Sequence, residues 1–273
     1  MARAKLPLAP LSVYRLLREV RAAADAGPVV VGGARELSAV LRRELGRDAA
    51  PGAIRDALSR DAAVAVHVLA GPPSEEDERT FREASRTRVP VVCVLADPAA
   101  DARVPYVLAT DVIRVPPGSG FPLDEIAAAV AHRLGDEAPG VAARVPVLRR
   151  AVCDDLIARA SRQNAIVGAA VFVPGADLPV LTLNQLRLVL RIAAAYGEEI
   201  DASRWPEIVG VVAGGLGFRA LARQALGLVP VAGWAVKGGI AYAGTRAVGE
   251  AAVWYFESRA STPRPGGASR AAS

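Results

Sequence analysis

Between Pro28 and Pro116 the chain keeps returning to short, uninterrupted runs of valine and leucine, and this habit narrows its folding options more than any other feature. The runs are PVVVG at 28–32, AVAVHVLA at 63–70, VPVVCVLA at 89–96, and the pair YVLA and DVIRVP between 106 and 116. A strand with one face in water alternates apolar and polar residues. A continuous apolar run of this length suits a strand covered on both faces, as in a parallel sheet. Helical patterns fill the gaps, at 34–45, 74–85 and 121–134. Ser74 followed by Glu75, Glu76 and Asp77 reads as a helix start, with a side-chain cap and then acidic charge at the positive end of the dipole. Gly135 after Leu134 reads as a stop. Strand–helix alternation with short loops predicts a small doubly wound α/β domain over residues 28–135.

The pattern changes at GDEAPGVAARVP, residues 135–146, which reads as a hinge. Beyond it there are no strand runs, only apolar segments rich in Ala and Gly, with helices expected near 147–172, 183–196, 204–226 and 231–257. Thr182 with Gln185 three residues on reads as a capping box, and Gly197 as a helix end. The fold class is therefore α/β followed by all-α, with a Gly/Ala-rich helical bundle over 147–258. The tail, 259–273, is polar and Pro/Gly-rich and has nothing to bury, so it is expected to be disordered. At the other end, 1–27 carries an amphipathic helix from Leu11 to Ala26, with Leu11, Tyr14, Leu17 and Val20 on one stripe.

Composition removes several function classes. An apolar fraction of 52% is too high for a disordered chain. Two cysteines and two histidines supply neither a disulfide framework nor the usual ligand set of a metal site. The net charge of +5 is spread evenly: 21 Lys+Arg against 19 Asp+Glu up to Arg150, and 12 against 9 beyond it. Five tyrosines and five phenylalanines scattered along the chain offer no stacking platform. Nucleic acid, which needs gathered charge, is not an expected partner.

The helical half raises the question of a membrane. Its longest uncharged run, Gln163 to Ala176, is 14 residues and ends on Pro174, Gly175 and Ala176. A span needs about 20 apolar residues. Independent spans are not expected, which leaves a soluble bundle or a shallow or hairpin insertion. Gly210 and Gly214 form a GxxxG pair. Ala235, Gly239, Ala243, Ala247 and Ala251 form a small-residue stripe that would let another helix approach closely.

Four elements of the last hundred residues carry a family resemblance: PGADLPVLTLNQ, the pair Tyr196–Gly197, the VPVAGWA turn, and TRAVGEAAVWYFE. In this order they resemble a bacterial family of unknown function that accompanies GTPase domains, including the inner-membrane YcjF-like proteins. The resemblance implies a helical partner module for GTPases, membrane-attached in some members. It also prompts comparison of the first half with a GTPase domain, whose order the runs follow in part. The chemistry is missing. A phosphate loop requires GxxxxGK[ST], so that backbone amides cradle the phosphates, lysine neutralises them and the hydroxyl holds magnesium. Counting from Gly32, the second glycine is Leu37 and the lysine Ser38; counting from Gly33, they are Ser38 and Ala39. The base-reading NKxD is reduced to Asp97 in LAD. The first half is thus expected to be a truncated pseudo-GTPase, with an unrelated small α/β domain as the alternative.

No catalytic, cofactor-binding or metal-ligating set emerges. Ser119, in GSG, lacks the GxSxG context of a nucleophile turn. His67, inside an apolar run, is expected to be a satisfied core histidine with no visible carboxylate partner. His132 falls in a last helical turn, where its cation suits the dipole. Cys93 is expected to act as a small hydrophobe. Glu75, Glu76, Asp77 and Glu78 read as a solvated helix start, and Asp154 and Asp155 as adjacent rather than facing. Among the polar residues in apolar company, Asn184, Gln185, Arg219 and Arg246 are the candidate interaction residues, for a partner or for a buried polar network. The expected protein is a non-catalytic, cofactor-free cytoplasmic adaptor with a protein partner of the GTPase class. The alternative is a membrane-associated helical protein at the inner face of the cell membrane.

Overall fold

A computed structural model describes residues 25–97, 103–116, 118–170, 178–198 and 234–260. The chain divides into two compact units, Met1–Leu156 and Ile157–Ser273.

In the first unit, strands β1 (Val29–Gly33), β2 (Ile54–Arg55), β3 (Val64–Leu69), β4 (Val91–Leu95) and β5 (Val112–Arg114) form one sheet in the order β2-β1-β3-β4-β5. Every pairing is parallel, with Val31 opposite Val66 and His67 opposite Cys93. Helices α1 (Arg35–Leu45), α2 (Glu75–Thr87) and α3 (Leu123–Leu134) connect and cover the strands. All six residues of β3 are buried, as the unbroken apolar run required. Parallel crossovers are right-handed, so α1, which carries the chain to one side of β1, and α2, which carries it to the other, lie on opposite faces. On the α2 face, Phe81 and Ala84 pack with Val30, Ala65, Leu69, Cys93 and Leu95. The alternate residues Val29, Val31, Val64, Val66, Val68, Val92 and Val94 fill the other face. There α1 packs on β1 and β3, and α3 on β3 and β4.

The sheet differs from the sequence reading at both edges. β2 is two residues long and pairs only with Val29 and Val30, too short to leave a periodic signal. YVLA is not a strand. Tyr106 lies in a left-handed turn at φ 63°, a one-turn 3-10 helix covers Ala109–Asp111, and Tyr106 and Leu108 are exposed. Only Val112–Arg114 reach β4. The expected hinge is also packed structure. Residues Ala138–Arg144 form helix α4, in which Ala138 to Ala142 are buried, and the division into units falls later, at Leu156.

That division lies within α5 (Arg149–Ala170); α6 (Leu178–Ala195) and α7 (Trp234–Ala260) belong to the second unit. Helix α6 starts five residues earlier than expected, so Thr182 and Gln185 are not a capping box. Both are buried inside the helix. Gly197, at φ 70°, does end it. On α7 the expected small-residue stripe faces out: Gly239, Ala243, Ala247 and Ala251 are exposed. The inward stripe runs through Gly238, Ala241, Thr245, Val248, Ala252 and Phe256. Close approach is made by Gly238, whose Cβ would lie 3.0 Å from the Ala165 carbonyl oxygen, and by Gly249, whose Cβ would lie 2.5 Å from Ile157 Cγ1. Small residues are frequent enough on α7 to draw two stripes, and the neighbouring side chains chose between them. Among the described residues no helix is long and apolar enough to cross a membrane. The helix expected at 204–226, the Gly210–Gly214 pair and residues 261–273 lie outside the described residues. So does the N-terminal helix, except that Asp25 and Ala26, its expected end, are not helical.

Candidate functional site

In an open parallel sheet, ligands bind beyond the carboxyl ends of the strands, where successive connections depart in opposite directions. Here that point lies between β1 and β3. A cavity of about 660 Å³ opens there, lined by the β1–α1 turn, the segment after β3, and the first turns of α2. The short connection after β2 adds Asp56 and Leu58. Its origin is topological. The crossover from β2 to β3 passes in eight residues, 56–63, without a helix. Handedness puts that crossover on the α2 face, so part of the sheet beside α2 goes uncovered.

One wall is the start of α1. Strand β1 ends at Gly33 and α1 begins at Arg35, leaving a single residue between them. Gly33 has φ 96°, and a Cβ there would lie 2.1 Å from the Val68 carbonyl oxygen. Glycine is obligatory on both counts. The next amide, Ala34 N–H, donates to that same oxygen at 2.8 Å. Helix α1 has no side-chain cap. Ser38, the residue counted into the lysine position, is buried inside α1, where its hydroxyl donates to the Arg35 carbonyl at 3.2 Å.

The opposite wall is the capping box of α2. Ser74 Oγ accepts from the Asp77 amide at 3.2 Å, and the Ser74 amide donates to Asp77 Oδ2 at 2.9 Å. The Ser74 hydroxyl also donates to Asp77 Oδ2, at 2.6 Å. The other carboxylate oxygen, Oδ1, is 2.6 Å from His67 Nε2. His67 rises from the centre of β3 to the floor of the cavity, and its ring meets Phe81 edge-on at 4.8 Å between centroids. The His67 side chain is 8% exposed. Burial works to raise the Asp77 pKa, but hydrogen bonds from the Ser74 hydroxyl, His67 and the Ser74 amide outweigh it and hold the group below its ordinary value. With Asp77 ionised, its Oδ1 accepts a hydrogen bond from His67 Nε2–H. This is a histidine oriented by a carboxylate on one side and the Phe81 ring on another.

The sequence reading missed this pair. Asp77 is not merely a solvated helix-start acid; it is the group that satisfies His67, a carboxylate partner not visible in the sequence. The ten residues between them conceal the contact, because only the packing of α2 on β3 closes it. A faint signal existed: one histidine in an otherwise apolar strand requires a polar partner, and the helix that follows the strand begins with acids.

Other candidates fall elsewhere. Asp111 is buried in an ion pair with Arg133 at 2.6 Å, and neither Asp111 nor Asp97 lines this cavity. His132 Nδ1 is 3.3 Å from Asp155, while Asp154 pairs with Arg150 one turn away. The Ser119 hydroxyl donates to the Pro116 carbonyl at 2.6 Å in an exposed loop. Cys93 is fully buried, and burial, helped by the Asp77 charge, pushes its thiol up to about 12. No group of three or more metal-binding side chains occurs among the described residues.

In the helical unit the structure gathers Asn184 and Gln185 into a buried polar seam. Asn184 Nδ2 donates to Asn164 Oδ1 at 2.8 Å, and Asn164 Nδ2 donates to Thr245 Oγ1 at 2.8 Å. Gln185 Nε2 donates to the same hydroxyl at 3.4 Å, and that hydroxyl donates to the Ala241 carbonyl at 2.8 Å. Of the two roles open to Asn184, the network is the one observed, and Gln185 shares it. Arg246 is exposed, 3.7 Å from Glu250 one turn on. Arg219 lies outside the described residues. Compared with known proteins, the chain matches no family model, no curated protein and no solved structure.

Proposed function

We propose that the protein is a non-catalytic adaptor or regulator in a GTPase-linked system, acting on the cytoplasmic side of the membrane. Its α/β unit is a degenerate GTPase-like domain, and its helical half is the partner-binding module. The observation that carries this reading is the one-residue passage from β1 to α1 through Ala34. A phosphate loop needs several free backbone amides curved around the phosphates, a lysine, and a hydroxyl for magnesium. At this position Gly33 is pressed against β3, the Ala34 amide is committed to Val68, and the Ser38 hydroxyl is turned back into its own helix. The resemblance of the last hundred residues supplies the partner class. Equilibrium binding of fluorescent GTP and ATP analogues to the full chain tests the reading. No magnesium-dependent binding is expected, and micromolar affinity that requires magnesium would sink it.

A further inference from the structure

Helix α7 packs into its own unit with one face, through Ala241, Thr245, Val248 and Ala252, and leaves the opposite face exposed. Down the exposed face run Gly239, Ala243, Ala247 and Ala251, followed by Trp254. At 71%, Trp254 is the most exposed large hydrophobic side chain among the described residues. Arg246 and Glu250 flank the row on one side, with side chains 60% and 38% exposed. We infer that this face is the interface of a homodimer, in which α7 packs antiparallel against α7 of a second copy.

The occupant follows from the order of residues along the face, which is complementary to itself, as an isologous interface must be. When a two-fold axis relates two antiparallel helices, residues equally far from the axis on either side meet, and each flank meets the same flank of the other copy. An axis at the level of Val248 sets Arg246 against Glu250 of the second copy, and the match occurs twice. An axis between Val248 and Gly249 sets each Trp254 on the other copy's Ala243, so that the indole fills the notch an alanine leaves. An axis at Gly249 sets Ala247 on Ala251, which lets the backbones approach closely at the centre. The three positions differ by one residue, about 1.5 Å along the helix, so a single docking satisfies charge, bulk and close approach together. A parallel pair would set Trp254 on Trp254 and leave the notch at Ala243 unfilled. Two buried tryptophans supply roughly 300–500 Å² of the roughly 1,200 Å² at which specific interfaces begin. The face from Gly239 to Ser258, about 30 Å of helix, has the length to supply the rest.

Sedimentation equilibrium of the full-length protein tests this. A monomer–dimer equilibrium is expected at concentrations up to about 100 μM. Trp254→Ala should raise the dissociation constant by about tenfold or more. Arg246→Glu should weaken the dimer by about tenfold, because it sets like charges against each other at two symmetric places. Adding Glu250→Arg to that variant should restore the parent constant, since the reversed pair is again complementary across the two-fold. Ala247→Arg, at the centre of the face, should leave only monomer. Its far-UV circular dichroism should match that of the parent, which separates a blocked interface from a damaged fold. A parent that stays monomeric, a dimer indifferent to Trp254→Ala and Ala247→Arg, or a double reversal no better than Arg246→Glu alone would each overturn the inference. So would loss of helix in Ala247→Arg, which would mean that a segment of the same chain covers this face. The dimer does not depend on the adaptor reading, which nucleotide binding tests separately.

Discussion

The two units each hold a cluster of polar side chains in apolar surroundings, and they treat it in opposite ways. In the α/β unit, Ser74, Asp77 and His67 are satisfied by one another and line a cavity. In the helical unit, Asn164, Gln185 and Thr245 are fully buried, and with Asn184 they form one hydrogen-bonded seam. Groups that line open space stay within a ligand's reach. A buried network that joins three helices favours the helix register in which its hydrogen bonds form. Exposure therefore separates the two clusters better than residue type does.

The sharpest way to break this contrast is at Thr245. Thr245→Val keeps the shape but removes the oxygen that accepts from both Asn164 and Gln185, taking a buried acceptor from each. Denaturant unfolding should show a loss of about 2–4 kcal/mol; a neutral result would mean that the Thr245 hydroxyl does not hold the seam together. The effect of Asp77→Asn should be smaller, about 1–2 kcal/mol near neutral pH, because a partly exposed cap and one histidine contact are weakened. Its pH dependence is the more telling readout. The Asp77 pKa is depressed in the fold, so its ionised form stabilises the protein above the pKa of an unfolded aspartate, about 4. That contribution is lost as pH falls through the lower folded value. The parent should therefore lose more stability than Asp77→Asn on acidification below pH of about 4, and parallel stability–pH curves would rule out the depressed pKa. The smallest effect belongs to Arg246, among the described candidates the one outside both clusters. Its exposed pair with Glu250 predicts at most about 0.5 kcal/mol for Arg246→Ala, so a large loss of partner binding with unchanged stability would assign it to an interface.

Much of the α/β unit was legible in advance because its strands are buried on both faces, and such strands announce themselves as unbroken apolar runs. The start of α2 was equally plain, since a cap and a run of acids act locally. β2 was not, because two residues carry no period, and its identity as a strand comes only from lying beside Val29 and Val30. In the helical half, Gly197 acted locally and ended α6 as expected. The start of that helix and the inward face of α7 did not follow from local chemistry. Thr182 and Gln185 make a good capping box on paper, yet both sit inside a helix that begins at Leu178. Asn184 and Gln185 stood out as polar residues in apolar company, but their partners Asn164 and Thr245 lie 20 and 60 residues away.

By itself the sequence determined what depends on near neighbours along the chain: strand runs, caps, glycine stops, and the absence of a lysine and a phosphate loop after the first strand. Only the tertiary structure decided that the unhelical β2–β3 crossover leaves a cavity, that Asp77 turns to His67, and that the outer stripe of α7 is not its packing face. The physical reason is range. Propensity and capping act over three or four residues, whereas a cavity or a buried hydrogen bond exists only where distant segments meet. The missing phosphate-loop motif could be read in one line of text. The histidine on the cavity floor met its carboxylate partner only when α2 folded over β3.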